Sequence, residues 1–121
     1  MIVEDDEMIA SMYRTKLEQE GFKVLIANDG ALGLSMAASQ NPDLVLLDII
    51  MPQLDGFTVL RELKSGAKTK KIPVIMLTNL GTDEDKKKGN ELGAVDYLVK
   101  AGLTPAQVAE AVKKYLAKKD K

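Results

Sequence analysis

The sequence predicts an α/β fold, a doubly wound parallel sheet of five strands with helices on both faces. Three observations carry the prediction. Short apolar runs alternate five times with stretches of helical periodicity. The runs are continuously apolar, as in Leu44-Val45-Leu46-Leu47, which suits strands buried on both faces. Gly, Pro and Asn-Asp-Gly stand between the segments as turn signals. With 121 residues the chain has the length of one domain, taken as 1–121.

The first strand, Met1-Ile2-Val3, runs directly into Glu4-Asp5-Asp6-Glu7. Its brevity fits either a chain that starts inside the strand or a strand that is short by nature. Four adjacent acids have two readings: they favour the positive N-terminus of the next helix, or they gather around a cation. That helix spans about 7–20, with Ile9, Met12, Tyr13 and Leu17 at helical spacing and Gly21 closing it. Phe22–Ile26 is the second strand. A helix over about 30–40 uses Leu32, Leu34, Met36 and Ala37 and stops at Asn41-Pro42.

The third strand ends at Asp48 and is stopped by Met51-Pro52, after which Asp55 caps a helix over 55–65 with Phe57, Leu60 and Leu63 inward. A lysine-rich connection leads to the fourth strand, Ile72–Leu77, ending at Thr78. Thr82 and Asp85 form a capping pair for a helix over 82–92. Asp83–Asn90 holds no large apolar residue, so this helix is either a weakly anchored moving part or a plain exposed helix. Ala94–Val99 is the fifth strand, ending at Lys100. The last helix starts at Thr104-Pro105-Ala106-Gln107 and buries Val108, Val112 and Leu116, with Lys113, Lys114, Lys118 and Lys119 complementing its dipole.

Composition narrows the chemistry. There is no Cys and no His, which removes disulfides, thiol chemistry, the usual zinc sites and histidine acid–base catalysis. No apolar segment approaches the roughly 20 residues that span a bilayer, and the first residues lack the regions of a secretory leader, so a cytoplasmic location is expected. Net charge is −1, but residues 1–60 carry 10 acids and 3 bases while residues 61–121 carry 8 and 14. The bases are spread over a loop and two helices without interleaved aromatics, the pattern of a solvated surface rather than a nucleic-acid face.

Right-handed crossovers make the sheet parallel, and the expected strand order is 2-1-3-4-5, as in flavodoxin-like folds. Strands 1 and 3 are then neighbours at the switch point. The first acidic cluster meets Asp48, and Thr78 and Lys100 arrive from strands 4 and 5. Several carboxylates at one point make a hard oxygen site suited to Mg2+, while Lys100 adds a compact charge and Thr78 a hydroxyl. Such a site fits phosphoryl transfer, with Asp48 as a nucleophile already ionised at neutral pH.

These marks resemble a receiver domain of two-component response regulators, the family that includes the chemotaxis regulator, over the whole chain. They are the acids after strand 1, Asp48 followed by Met51-Pro52 and Asp55-Gly56, Thr78, Tyr97 and Lys100. No single mark is diagnostic; their order and spacing carry the resemblance. The resemblance implies a signalling domain rather than an enzyme, with Asp48 phosphorylated by a partner histidine kinase or by acetyl phosphate. It implies Mg2+ held by Asp5 directly, Glu4 through water, Asp48 and the backbone carbonyl of Ile50. Thr78 would move toward the phosphoryl oxygens and Tyr97 would turn inward with it. The helix at 82–92, strand 5 and the last helix would then be read by a downstream protein. Asp6 lies one residue beyond the family's acidic pair and is expected to cap the helix.

One departure stands out, Lys100-Ala101 where the family has Lys-Pro with a cis bond. A cis bond before alanine costs about 2.5–4 kcal/mol, yet cis is expected here so that Lys100 stays aimed at the phosphate. Apolar Ile50 and Leu80 flank the site and are expected to hinder attacking water. Rival readings fare worse. A flavin or nucleotide site wants a glycine-rich phosphate cradle after strand 1, where this chain has Glu4–Glu7. An interaction module without phosphorylation would not need Asp5, Asp48, Thr78 and Lys100 together. A phospho-aspartate hydrolase wants a second acid where Ile50 stands.

Overall fold

The computed structural model describes residues 1–119. The elements are β1 (Ile2–Val3), α1 (Glu7–Gln19), β2 (Ile26–Ala27), α2 (Gly30–Gln40), β3 (Val45–Leu47) and α3 (Gly56–Ser65). After these come β4 (Val74–Thr78), α4 (Asp83–Glu91), β5 (Asp96–Val99), a 3₁₀ turn (Lys100–Gly102) and α5 (Pro105–Lys119). The sheet is parallel throughout in the order β2-β1-β3-β4-β5. This is the architecture expected from the sequence.

The apolar strands divide their side chains between two cores. Val3, Val45, Leu47, Val74 and Met76 pack with Val59, Leu60 and Leu63 of α3 on one face of the sheet. Ile2, Leu46, Ile75 and Leu77 pack with Tyr13 and Leu17 of α1 and Val108 and Val112 of α5 on the other. Successive strand residues point to opposite faces, so a strand covered on both sides must be apolar at every position.

All five helices start on a side-chain cap. Asp6 accepts from the Met8 and Ile9 amides, Asp29 from Leu32 and Asp55 from Phe57 and Thr58. Thr82 accepts from the Asp85 amide, and Thr104 and Gln107 cap each other reciprocally. Each cap satisfies amides that the helix leaves without partners.

Several expectations need correction. The second strand is Ile26–Ala27, not Phe22–Ile26, because a ladder extends only as far as its partner and β1 offers two residues. The fifth strand starts at Asp96, not Ala94, since its ladder partner is Ile75. Met12 and Leu32 are exposed. In their helices the small residues Ala10 and Gly33 also face inward, and apolar spacing alone did not reveal them, whereas Ala37 is buried as its spacing predicts. The Lys100–Ala101 bond is trans. The 3₁₀ turn at Lys100–Gly102 redirects the chain without a cis bond, and Lys100 still reaches the site. Lys113 pairs at 2.6 Å with Glu20, the residue that closes α1, which ties α5 to the end of α1. The side chains of Lys118 and Lys119 lie outside the described residues.

Candidate functional site

The carboxyl edge of the sheet gathers side chains from four strands. β1 delivers Glu4 and Asp5, β3 delivers Asp48, β4 ends in Thr78 and β5 is followed by Lys100. Parallel pairing places them there together, since every strand ends at the same edge. The Asp48 amide donates to the Val3 carbonyl at 3.1 Å, and the Glu4 amide to Ala27 at 3.0 Å, so the backbones carrying both acids are fixed by the sheet.

Asp48 is 7% exposed, Glu4 4% and Thr78 0%, whereas Asp5 faces solvent. The Lys100 ammonium donates to Glu4 Oε1 and to Asp48 Oδ2, the latter at 3.2 Å. The other Asp48 oxygen, Oδ1, accepts from the Ile49 amide at 2.8 Å. Burial pushes the Glu4 carboxyl up to about 7; the Lys100 hydrogen bond opposes the shift, and the Asp48 charge adds to it. For Lys100 burial acts downward, but the Glu4 hydrogen bond and the two carboxylate charges outweigh it and the pKa is raised. Glu4, buried beside Asp48 and sharing its ammonium, thus holds a proton that a cation would displace.

One oxygen from each of Glu4, Asp5 and Asp48 lies within 4.8 Å of the others. An all-oxygen, multiply anionic donor set of this kind fits a small hard cation such as Mg2+. Ile50 stands two residues past Asp48 with its side chain 59% exposed. Asp6 is an α1 cap, as expected.

Thr78 and Tyr97 are linked through one residue. The Thr78 hydroxyl oxygen accepts from the Leu80 amide at 3.3 Å, and the Tyr97 hydroxyl donates to the Leu80 carbonyl at 2.5 Å. Tyr97 is half-buried, its ring beside Gly89 of α4, and burial pushes its phenol up to about 12. The sequence named Leu80 for its apolar side chain, but its backbone joins the two switch candidates.

A second contributor was only half visible. Gly56 opens α3 against the main chain of Asp48, where an added Cβ would stand 2.1 Å from the Asp48 carbonyl oxygen. Its amide donates to the Ile49 carbonyl at 2.8 Å. The Asp55-Gly56 pair signals this, a capping acid followed by the one residue that permits so close an approach.

Fold and site together define a doubly wound α/β domain with a cation-ready acidic pocket and a buried lysine at its switch-point edge. Residues 1–113 match the response regulator receiver domain, and the chain belongs to that family of two-component signalling domains. It is 43% identical over 100 residues to the DNA-binding dual master transcriptional regulator RpaA of Synechocystis, an alignment covering 83% of this chain and 42% of that protein. With the alkaline phosphatase synthesis transcriptional regulatory protein PhoP of Bacillus subtilis it shares 36% over 120 residues, covering 99% of this chain and 49% of the relative. The chain thus corresponds to less than half the length of either protein. Among solved structures, the receiver domain of the Francisella response regulator 1452 superposes with a TM-score of 0.88 at 32% identity, covering 99% of this chain and 96% of that one. Receiver domains bind Mg2+ at an acidic site, and Glu4, Asp5 and Asp48 form such a cluster here.

Proposed function

We propose that Asp48 accepts a phosphoryl group from a phosphohistidine on a histidine kinase, or from acetyl phosphate, and that the modified site resets the surface formed by α4, β5 and α5. The observation that carries this reading is the position of Asp48. It is a buried carboxylate at a strand's carboxyl end, with one oxygen 3.2 Å from the Lys100 ammonium and the other on the Ile49 amide.

An Asp48 carboxylate oxygen attacks phosphorus in line; the bond from phosphorus to the imidazole nitrogen, or to the acetate oxygen, breaks, and its electron pair leaves with that group. Lys100 stands ready to pair with the phosphoryl oxygens, and Thr78 contributes a hydroxyl donor. Mg2+, held by Asp5, Asp48, the Ile50 carbonyl and Glu4 through water, supplies further charge neutralisation when bound. The product is an acyl phosphate on Asp48.

Once Thr78 turns to donate toward the phosphoryl group, the geometry around Leu80 changes, and Tyr97 bonds to that residue's carbonyl. A hundredfold population shift needs about 2.7 kcal/mol of differential contact. Hydrogen bonds to charged groups, each about 1.5–3 kcal/mol, are of that size. The downstream partner is a protein that reads the α4–β5–α5 face.

Incubation with acetyl phosphate and Mg2+ followed by intact-mass measurement tests the assignment. One phosphoryl group adds to the wild type and none to Asp48→Asn. Equal labelling of the two proteins would refute it.

A further inference from the structure

Helix α4 carries the sequence Asp83-Glu84-Asp85-Lys86-Lys87-Lys88-Gly89-Asn90-Glu91, and Gly89 is its one buried residue. An amphipathic helix is held down by an apolar stripe, which α4 lacks. Two of its lateral contacts are made to aromatic rings. Gly89 lies against the Tyr97 ring, where an added Cβ would be 3.1 Å from Tyr97 Cδ2. The Lys88 ammonium sits over the Phe57 ring, 4.5 Å from its centroid.

Phe57 is a core residue of α3, and it follows Gly56, whose amide binds the Ile49 carbonyl and whose Cα abuts the Asp48 main chain. Lys88 therefore grips the α3 turn that seats the phosphoacceptor loop. Lys86, Lys87 and Lys88 are all exposed, and of the three it is Lys88 whose ammonium lies over the Phe57 ring.

We propose that Lys88 and Phe57 form a cation–π clasp that holds α4 against α3 and opposes the displacement of α4 accompanying phosphoryl uptake at Asp48. The coupling to uptake rests on the function proposed above; the clasp itself does not. A cation–π contact suits this task because it is lateral, involves a single side chain on the moving helix and keeps the ammonium in water. Releasing it frees α4 without opening the core beneath.

The test has two readouts on four variants: Lys88→Met, Lys88→Arg, Phe57→Leu and the Lys88→Met/Phe57→Leu double. Methionine keeps the stem and helix propensity of lysine but loses its charge; arginine keeps the cation. In Lys88→Met, amide hydrogen exchange across α4 rises roughly two- to five-fold, the ordinary strength of an exposed cation–π contact. Exchange in β3 and β4 is unchanged, Lys88→Arg is close to wild type, and Lys88→Met adds nothing in the Phe57→Leu background. Acetyl phosphate with Mg2+ labels Lys88→Met faster than wild type by a factor in the same range.

Unaltered α4 exchange in Lys88→Met, or an equal increase in the Phe57→Leu background, overturns the clasp. Faster α4 exchange with an unchanged labelling rate overturns its coupling to uptake. If the wild type takes up no phosphoryl group, the function proposed above fails while the exchange comparison still decides the clasp.

Discussion

Glu4 is the residue whose environment asks most of the fold. It is buried beside another carboxylate, shares a lysine with it, and holds its proton up to about pH 7. A proton and a divalent cation compete for such a group. Below about 7 the cation must displace the proton; above it the carboxylate is already charged. Mg2+ affinity therefore rises as pH rises through about 7 and then levels off. Fluorescence or calorimetric titration across that range checks this, and Glu4→Gln should flatten the pH dependence. Asp5→Ala weakens binding at every pH, since Asp5 is the exposed member of the cluster. Gln53 poses a simpler problem. Its φ is +68° in the loop between Asp48 and α3, a conformation that costs a residue with Cβ about 1–2 kcal/mol. Glycine avoids the clash but has about 0.5–1 kcal/mol more backbone entropy to lose. Gln53→Gly should raise the urea midpoint by up to about 1 kcal/mol equivalent with an unchanged m-value.

At the scale of the element, the helices differ in what holds them. α3 buries Val59, Leu60 and Leu63, whereas α4 relies on a ring contact and a glycine. α1 and α5 share an apolar core and add an exposed ion pair between Glu20 and Lys113, with Lys16 also beside Glu20. These two lysines, Lys113 first, hold the Glu20 carboxyl below its ordinary value of 4.5. The stability from this pairing is present above the unfolded value and lost as pH falls through the lower folded value. Glu20→Gln should therefore lose stability less steeply below about pH 4.5 than wild type, as followed by urea melts at a series of pH values. The capping residues of four helices could be read directly, because Asp or Thr before a periodic run has a local physical meaning, whereas Asp29 was read only as part of a turn. The inward faces of α1 and α2 were less legible. Ala10 and Gly33 pack by being small, and smallness leaves no periodic apolar signal. The trans bond after Lys100 was missed because a family habit was weighed above the cost of a cis bond before alanine. Lys88 was invisible as an anchor, since its partner Phe57 lies on another helix.

At the scale of the molecule, one sheet serves two cores. Leu60 lies on the α3 side, and Val108 and Tyr13 on the other. Leu60→Ala removes a fully buried side chain and should cost about 2–5 kcal/mol. Because the sheet is common to both cores, the loss should appear equally in the slowest-exchanging amides of α5, on the face the substitution does not touch. Confinement of the effect to α2 and α3 would show instead that the two layers open separately. The strand order and the site edge were legible because continuous apolar runs, each ending in a polar residue, allow few other arrangements. The exact ladder lengths were not, since they depend on partners distant in the chain.

The parallel sheet also bears on assembly. It has no hairpin, and Ile2 finds its neighbour in Leu46, so closing the centre of the sheet requires a long loop and is slow compared with helix formation. Glu4 and Asp48 come together where β1 pairs with β3, and the ammonium they share belongs to Lys100, which follows β5 at the edge of the sheet. Seating β5 therefore brings a counter-charge to both acids, so the joining of that strand carries an electrostatic contribution as well as an apolar one.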